Sequence, residues 1–259
     1  MPASNAEPAR AIFVTLFAQG FEERERGGAV ELAAYTDDAG EARVREQFGA
    51  VTTSEVEPGW EERWREFHRP VRVGALWIGP PWEAPPRDAI AVVIEPGRAF
   101  GTGGHATTRL CLELLVDLRR ELAGASALDL GCGSGLLSIA AARLGYSPVR
   151  AVDHEPAAVD ETRRNARRNG VEVEARLASA LVSGLPASEL VVANIARPTV
   201  EALAARIRCR VLVASGYLET EPVDLPGFRH RERRTAGGWA ADVYEYVEPL
   251  ARSRDSSVT

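Results

Sequence analysis

Asp129-Leu130-Gly131-Cys132-Gly133-Ser134-Gly135 sets three glycines two residues apart, between the apolar runs Ala127-Leu128 and Leu136-Leu137. That order reads as a strand, a tight turn and a helix. Glycines let the backbone turn sharply and come close to a ligand, and a helix opening at Ser134 presents unpaired N–H groups at the same place. A second strand ends at Val152-Asp153, where a carboxylate at the tip can hold a ribose diol through paired hydrogen bonds. The chemistry this pattern points to is a half-site for a nucleotide cofactor. A glycine turn that only joins a strand to a helix is the plainer reading, and Asp153 at the second strand tip weighs against it.

Two further segments add polar groups. Glu95-Pro96-Gly97-Arg98-Ala99-Phe100-Gly101-Thr102-Gly103-Gly104-His105-Ala106-Thr107-Thr108 is an adaptable glycine-rich loop running into a helix, which brings hydroxyls and N–H groups to a ligand. Ala193-Asn194-Ile195 closes a later strand, and an amide there can orient an amine; the alternative is an Asn that caps the helix begun by Pro198. A dinucleotide fingerprint needs GxGxxG, and Leu136 stands where its last glycine belongs, so a dehydrogenase is the weaker reading.

With an acid two residues before its first glycine, the turn resembles motif I of class I S-adenosylmethionine-dependent methyltransferases, in which it holds the methionine moiety. On that resemblance Asp129, Gly131, Gly133 and Gly135 are cofactor-binding candidates. The segment from Glu95 to Thr108 is similar to the EPGxAFGTGxHxTT signature of the bacterial ribosomal protein L-eleven methyltransferases. The similarity is strong from about Trp60 to Ala196 and fainter through Ser215-Gly216 and Trp239. It implies cofactor contacts at Thr108, Gly131, Asp153 and Asn194, with S-adenosylmethionine as cofactor and a large-subunit ribosomal protein as substrate. Asn194 continues as Ile195-Ala196-Arg197, without the Pro-Pro-aromatic run of enzymes that methylate adenine or glutamine amides, which lowers both of those substrates; the resemblance implies amino groups, a lysine side chain or an N-terminal amine.

Methyl transfer is an in-line displacement in which positioning dominates. A lysine acceptor must be held neutral, at a cost of about 4–5 kcal/mol at pH 7 from its reference pKa of about 10.4, so a water-poor aromatic pocket is expected. Phe100, Gly101, Thr102 and Gly103 are the candidates for its substrate-binding wall. Asn194 and His105 are the catalytic candidates, His105 as a proton acceptor; a His beside a helix start is also a common structural hydrogen-bonder.

The elements that must position these groups alternate strand and helix downstream of residue 87. Strands fit Leu128, Val149 to Asp153, Val171 to Leu177, Leu190 to Ala193 and Val211 to Ser215, with a helix over Thr107 to Leu122 and a closing antiparallel strand around Tyr244-Glu245-Tyr246. This predicts an α/β fold, a doubly wound, mostly parallel Rossmann-like methyltransferase sheet over 87–250, with a small N-terminal α+β domain over 1–57. In that domain Ile12 to Phe17, Ala29 to Tyr35 and Val51 to Val56 read as strands, and Asp38 to Phe48 as a helix capped by Asp38 and stopped by Gly49. Between the domains, 58–86 holds a linker helix with Trp60, Trp64 and Phe67 on one face and a strand over Val71 to Ile78; a strand at Ile90 to Ile94 follows, and 251–259 is expected to be a disordered tail.

Charge separates the same parts. Residues 1 to 70 carry 14 acids against 8 arginines and the remainder 23 against 23, so the whole net charge of −6 lies in the N-terminal quarter. Such a surface repels a phosphate backbone and steers a basic protein, which argues against direct nucleic-acid binding despite the arginines of Arg163-Arg164-Asn165-Ala166-Arg167-Arg168-Asn169, read as the solvated face of a helix. Cys111, Cys132 and Cys209 are scattered without a CxxC, so neither a disulfide framework nor a metal site is expected. Met1 to Arg10 lacks a cationic start and an apolar run, and no stretch nears the roughly 18 apolar residues of a membrane span. A cytoplasmic monomer that touches no membrane is expected. The rival readings are a methyltransferase of another protein or a small molecule, and a cofactor-binding module without turnover.

Overall fold

The computed structural model describes residues 9, 12–13, 16–17, 22–26, 29–34, 36–49, 51–54, 69–95, 103–181 and 183–247. They fall into two units, residues 1–68 with 97–100, and residues 69–96 with 101–259. The linker-helix residues Trp60, Trp64 and Phe67, the loop residues Phe100, Gly101 and Thr102, and the tail 251–259 lie outside the described residues.

In the smaller unit β1 (Glu22–Arg26) and β2 (Ala29–Ala33) pair antiparallel, and α1 (Asp38–Phe48) follows. The cap of α1 is Asp37 rather than Asp38: its carboxylate accepts the Gly40 N–H at 2.9 Å, while Gly49 at φ 76° ends the helix. The strand expected over Ile12 to Phe17 is a correction, because Ile12, Phe13 and Leu16 are helical and the Phe17 N–H bonds the Phe13 carbonyl at 2.8 Å. The cause is packing at helical period: Ala9, Phe13 and Phe17, spaced by four, are all buried, and the Phe13 ring lies 5.3 Å from Phe17 and 5.5 Å from Phe48. Val51 to Ser54, expected as strand, take no regular structure.

The larger unit begins with β3 (Val71–Val73), β4 (Leu76–Gly79) and β5 (Ile90–Val93), a three-stranded sheet in that order. One strand over Val71 to Ile78 was expected, yet Gly74 at φ 56° folds the run into a hairpin whose second arm, Leu-Trp-Ile-Gly, is fully buried. Then come α2 (Ala106–Leu118), β6 (Ala127–Leu130), α3 (Leu136–Leu144), β7 (Val149–Asp153), α4 (Pro156–Asn169), β8 (Glu174–Leu177), β9 (Leu190–Asn194), α5 (Arg197–Leu203), β10 (Val211–Leu218), β11 (Phe228–Ala236) and β12 (Trp239–Tyr246).

These strands form one sheet in the order β11-β12-β10-β9-β6-β7-β8, parallel from β10 to β8 and antiparallel at β12 and β11. The fold class expected from the alternation is the one observed. β6 and β9 are apolar throughout except at Asp129 and Asn194, because both faces are covered. One face packs with α2, α3 and the three-stranded sheet through Leu110, Leu114, Ile139, Ile78 and Val92; the other packs Leu130, Val191 and Leu212 against Val200 and Leu203 of α5. β11 was not anticipated. It is an edge strand whose arginines stay half-exposed or exposed, so it carries little apolar signal. Residues 219–227, between β10 and β11, hold no helix. Among the described residues no helix is long and apolar enough to cross a membrane, and no group of His, Cys, Asp and Glu is placed to hold a metal ion.

Candidate functional site

The chain winds outward in both directions from the β6–β9 pair, through β7 and β8 on one side and β10 on the other. A doubly wound sheet leaves a crevice at such a switch point, outside the carboxyl ends of its strands. Asp129, the glycine turn, Asp153 and Asn194 all fall at or next to that edge. The segment just before α2 supplies His105 as its cap, and Thr108 lies in the first turn of α2.

Backbone bonds begin the turn, and side chains from α4 and β7 brace it further along. Gly131 and Cys132 donate their N–H groups to the Val152 carbonyl at 2.9 and 3.2 Å, and φ is 77°, 54° and 81° at Gly131, Gly133 and Gly135. Only glycine enters that region without strain. Space forbids a side chain as well: a Cβ on Gly131 would stand 2.5 Å from Cγ2 of Ile195, and one on Gly135 would stand 2.9 Å from the Thr162 backbone. Gly103 is similarly confined at φ 94°, where a Cβ would come within 3.0 Å of Ile78.

Two carboxylates flank the turn and differ in what they already hold. Asp153 closes β7 with its oxygens on backbone, Oδ2 accepting the Gly133 N–H and Oδ1 the Glu155 N–H, each at 3.0 Å. Oδ1 also lies 3.3 Å from Nδ1 of the exposed His154, and 8% of the residue is still open to solvent. Asp129 is more deeply placed, at 3% exposure. Its Oδ2 accepts from Ser138 twice, from the hydroxyl at 2.5 Å and the backbone N–H at 3.1 Å. Its Oδ1 is buried with no hydrogen-bond partner among the described residues. Burial pushes the Asp129 carboxyl up to about 6, the Ser138 bonds pull it back, and Asp153 adds a smaller upward push. A buried carboxylate oxygen without a donor, beside a turn only glycine can make, suits a ligand that brings a cationic or N–H group.

Asn194 and Thr108 are brought together from 86 residues apart. The Asn194 Nδ2 donates to the Thr108 hydroxyl at 3.4 Å, and Thr108 itself is 1% exposed. The next residue, Ile195, donates its N–H to Ser215 and fills the space over Gly216, whose Cβ would lie 2.4 Å from the Ile195 carbonyl oxygen. Ile195 thus sits between Gly131 and Gly216. His105 is the N-cap of α2: its Nδ1 lies 2.8 Å from the Thr107 hydroxyl and accepts the Thr107 N–H at 3.4 Å. Its ring meets Trp239, at the tip of the β11–β12 hairpin, edge-on at 4.8 Å. Burial, then Arg109, hold the His105 pKa below its usual value.

Several residues at the site were not singled out from the sequence. Ser138 completes the Asp129 arrangement, and Asn165, inside the run read as a solvated face, is 1% exposed and donates to the Ser134 carbonyl at 2.9 Å. The signal for Asn165 is its spacing from Thr162 and Asn169, at positions three and seven on one helix face, all buried.

With this geometry in place, similarity to known proteins is specific. The family model for ribosomal protein L11 methyltransferase (PrmA) matches residues 21–222, 202 of the 259 residues. A ribosomal protein L11 methyltransferase of Vibrio campbellii is 44% identical over 175 residues, which is 64% of this chain and 58% of that protein. One of Pelobacter propionicus is 40% identical over 203 residues, 71% of this chain and 66% of that protein. Among solved structures, the ribosomal protein L11 methylase from Lactobacillus delbrueckii subsp. bulgaricus aligns with a TM-score of 0.62 at 26% identity, covering 70% of this chain and 100% of that one. The match to these curated relatives spans 58 to 66% of their length. An acid-flanked glycine turn at the switch point, Asn194 beside Thr108, and a family match over most of the sequence lead to one conclusion: this chain belongs to the ribosomal protein L11 methyltransferase family.

Proposed function

We propose that this chain transfers methyl groups from S-adenosylmethionine to amino groups, lysine side chains or the N-terminal amine, of ribosomal protein L11, acting as a cytoplasmic monomer. The observation that carries the reading is the buried Asp129 Oδ1 without a donor beside the glycine turn, in a chain whose family model is that of this activity. Asp129 and the turn of Gly131, Gly133 and Gly135 would hold the amino-acid end of the cofactor, and the Asp153 carboxylate its ribose. Thr108 and Asn194 would lie against it on the β9 side. When bound, the cofactor supplies an electrophilic methyl group on a sulfonium.

The protein's own part is orientation and exclusion of water. The Asn194 carboxamide, with its Nδ2 on Thr108, presents its oxygen to the N–H of an amine and so turns the nitrogen lone pair away from itself. His105 is better suited to fixing α2 than to taking a proton. With Nδ1 accepting from the helix start, the neutral ring carries its hydrogen on Nε2, and the depressed pKa keeps it neutral at pH 7. Proton loss from a lysine would then precede its seating, with Phe100, Gly101, Thr102 and Gly103 as the proposed wall that keeps water out.

The acidic surplus of residues 1 to 70 supports a basic protein client brought in by steering. A second reading directs the same chemistry at a different protein. Purified chain, methyl-labelled cofactor and unmethylated ribosomal proteins, with the label mapped by mass, separate the two. Label on L11 amines supports the first reading; label elsewhere supports the second; binding without transfer to any client leaves a cofactor-binding module.

A further inference from the structure

Helix α4 is stitched to the glycine turn and to the end of β5 by one row of side chains. Thr162 donates its hydroxyl to the Gly133 carbonyl at 3.0 Å. One turn on, Asn165 donates Nδ2 to the Ser134 carbonyl at 2.9 Å and accepts the Glu95 N–H on Oδ1 at 3.3 Å. At the end of the row Asn169 behaves like a neighbouring strand, accepting the Val93 N–H at 2.8 Å and donating to the Val93 carbonyl at 2.7 Å. Outside this row Arg168 reaches the Glu95 carboxylate at 2.5 Å.

Asn165 is 1% exposed and Asn169 4%, so these buried amides depend on backbone partners rather than on water. Glu95 opens the glycine-rich segment that leads to His105 and Thr108, and Ser134 lies within the turn that follows Asp129. Asn165 hydrogen-bonds both. We propose that Asn165 is a positioning residue that ties the carbonyl of Ser134 to the backbone of Glu95, so that the cofactor turn and the root of the glycine-rich loop hold one geometry. This rests on the methyl-donor reading above. Asn169 anchors the same strand end without touching the turn, which makes it the internal comparison.

The test is calorimetric binding of S-adenosylhomocysteine to the full-length chain, with thermal unfolding measured in parallel. Asn165→Ala should weaken binding by about fivefold, the worth of one net hydrogen bond transmitted to the turn. Asn169→Ala should lower the unfolding temperature at least as much yet leave binding within about twofold of wild type. Equal effects of the two variants, or unchanged binding in Asn165→Ala, would overturn the proposal. If Asn165→Ala does not fold, amide exchange at Glu95 in the wild-type chain serves instead: it should slow when S-adenosylhomocysteine binds, and an unchanged rate overturns the coupling. A wild-type chain that binds no S-adenosylhomocysteine refutes the methyl-donor reading itself.

Discussion

Asp129→Asn removes a charge from a position that disfavours it, and its effect should depend on pH in a calculable way. The carboxyl titrates near 6 in the folded chain against an ordinary value of 3.8, a rise of about two units caused first by burial. Because the folded value is raised, the unfolded chain loses its proton first as pH increases. Between about pH 4 and pH 6 the native state therefore holds the extra proton, and stability falls with rising pH. At about 1.4 kcal/mol per unit the total is about 3 kcal/mol, gone above pH 6 and fully present below pH 4. An asparagine does not titrate. It can still accept both Ser138 bonds on Oδ1, and its Nδ2 would occupy the place of the unpartnered oxygen at a pH-independent cost of about 1–3 kcal/mol. Thus the absolute difference at pH 7 is small, but the variant-minus-wild-type difference should grow by about 3 kcal/mol from pH 4 to pH 7. Urea unfolding of both ligand-free chains across that range measures it. A difference that stays flat would refute the claim that Asp129 is a buried, uncompensated carboxylate. In the same variant, affinity for S-adenosylhomocysteine should drop at least about tenfold at pH 7, the loss expected for a hydrogen bond to a charged group.

Asp153→Ala should weaken cofactor binding and also lower stability by about 1–3 kcal/mol, because the Gly133 and Glu155 N–H groups lose their acceptor; calorimetry and urea midpoints report the two losses, and unchanged affinity would place the ribose elsewhere. Asn194→Ala should reduce the rate of methyl transfer more than the affinity for S-adenosylhomocysteine, and equal losses would leave it a cofactor ligand only. Gly131→Ala meets both a left-handed backbone and a contact of 2.5 Å with Ile195, so it should lower stability by more than about 1 kcal/mol and weaken cofactor binding; a neutral effect in thermal unfolding would show that the turn relaxes.

The sheet was legible because parallel strands buried on both faces are written as unbroken apolar runs. Val149 to Asp153 is bounded to the residue and β9 to within one, while the strand expected from Val171 begins only at Glu174. Where burial is one-sided the text fades. β11 is spelled in arginines, and the three-residue arm β3 looked continuous with β4 because a single glycine turns the chain between them. Phe13 and Phe17 fit two periods, and the contact of Phe13 with Phe17 and Phe48 goes with the helix. The glycines and carboxylates of the site could be placed from spacing, since strand, turn and helix follow one another locally. Ser138 and Asn165 could not, because what makes them matter is an acceptor 9 or 31 residues away that only folding brings close.

Ile195 gives two distant glycines, Gly131 and Gly216, a shared fate. Its side chain excludes a methyl group at Gly131 and its backbone excludes one at Gly216, so the loop after β6 and the bulge in β10 take their shape from the same plug. Trimming the Ile195 side chain would therefore loosen the glycine turn while the Ile195 backbone still pinned the β10 bulge, and a redesign would have to refill that volume before touching it.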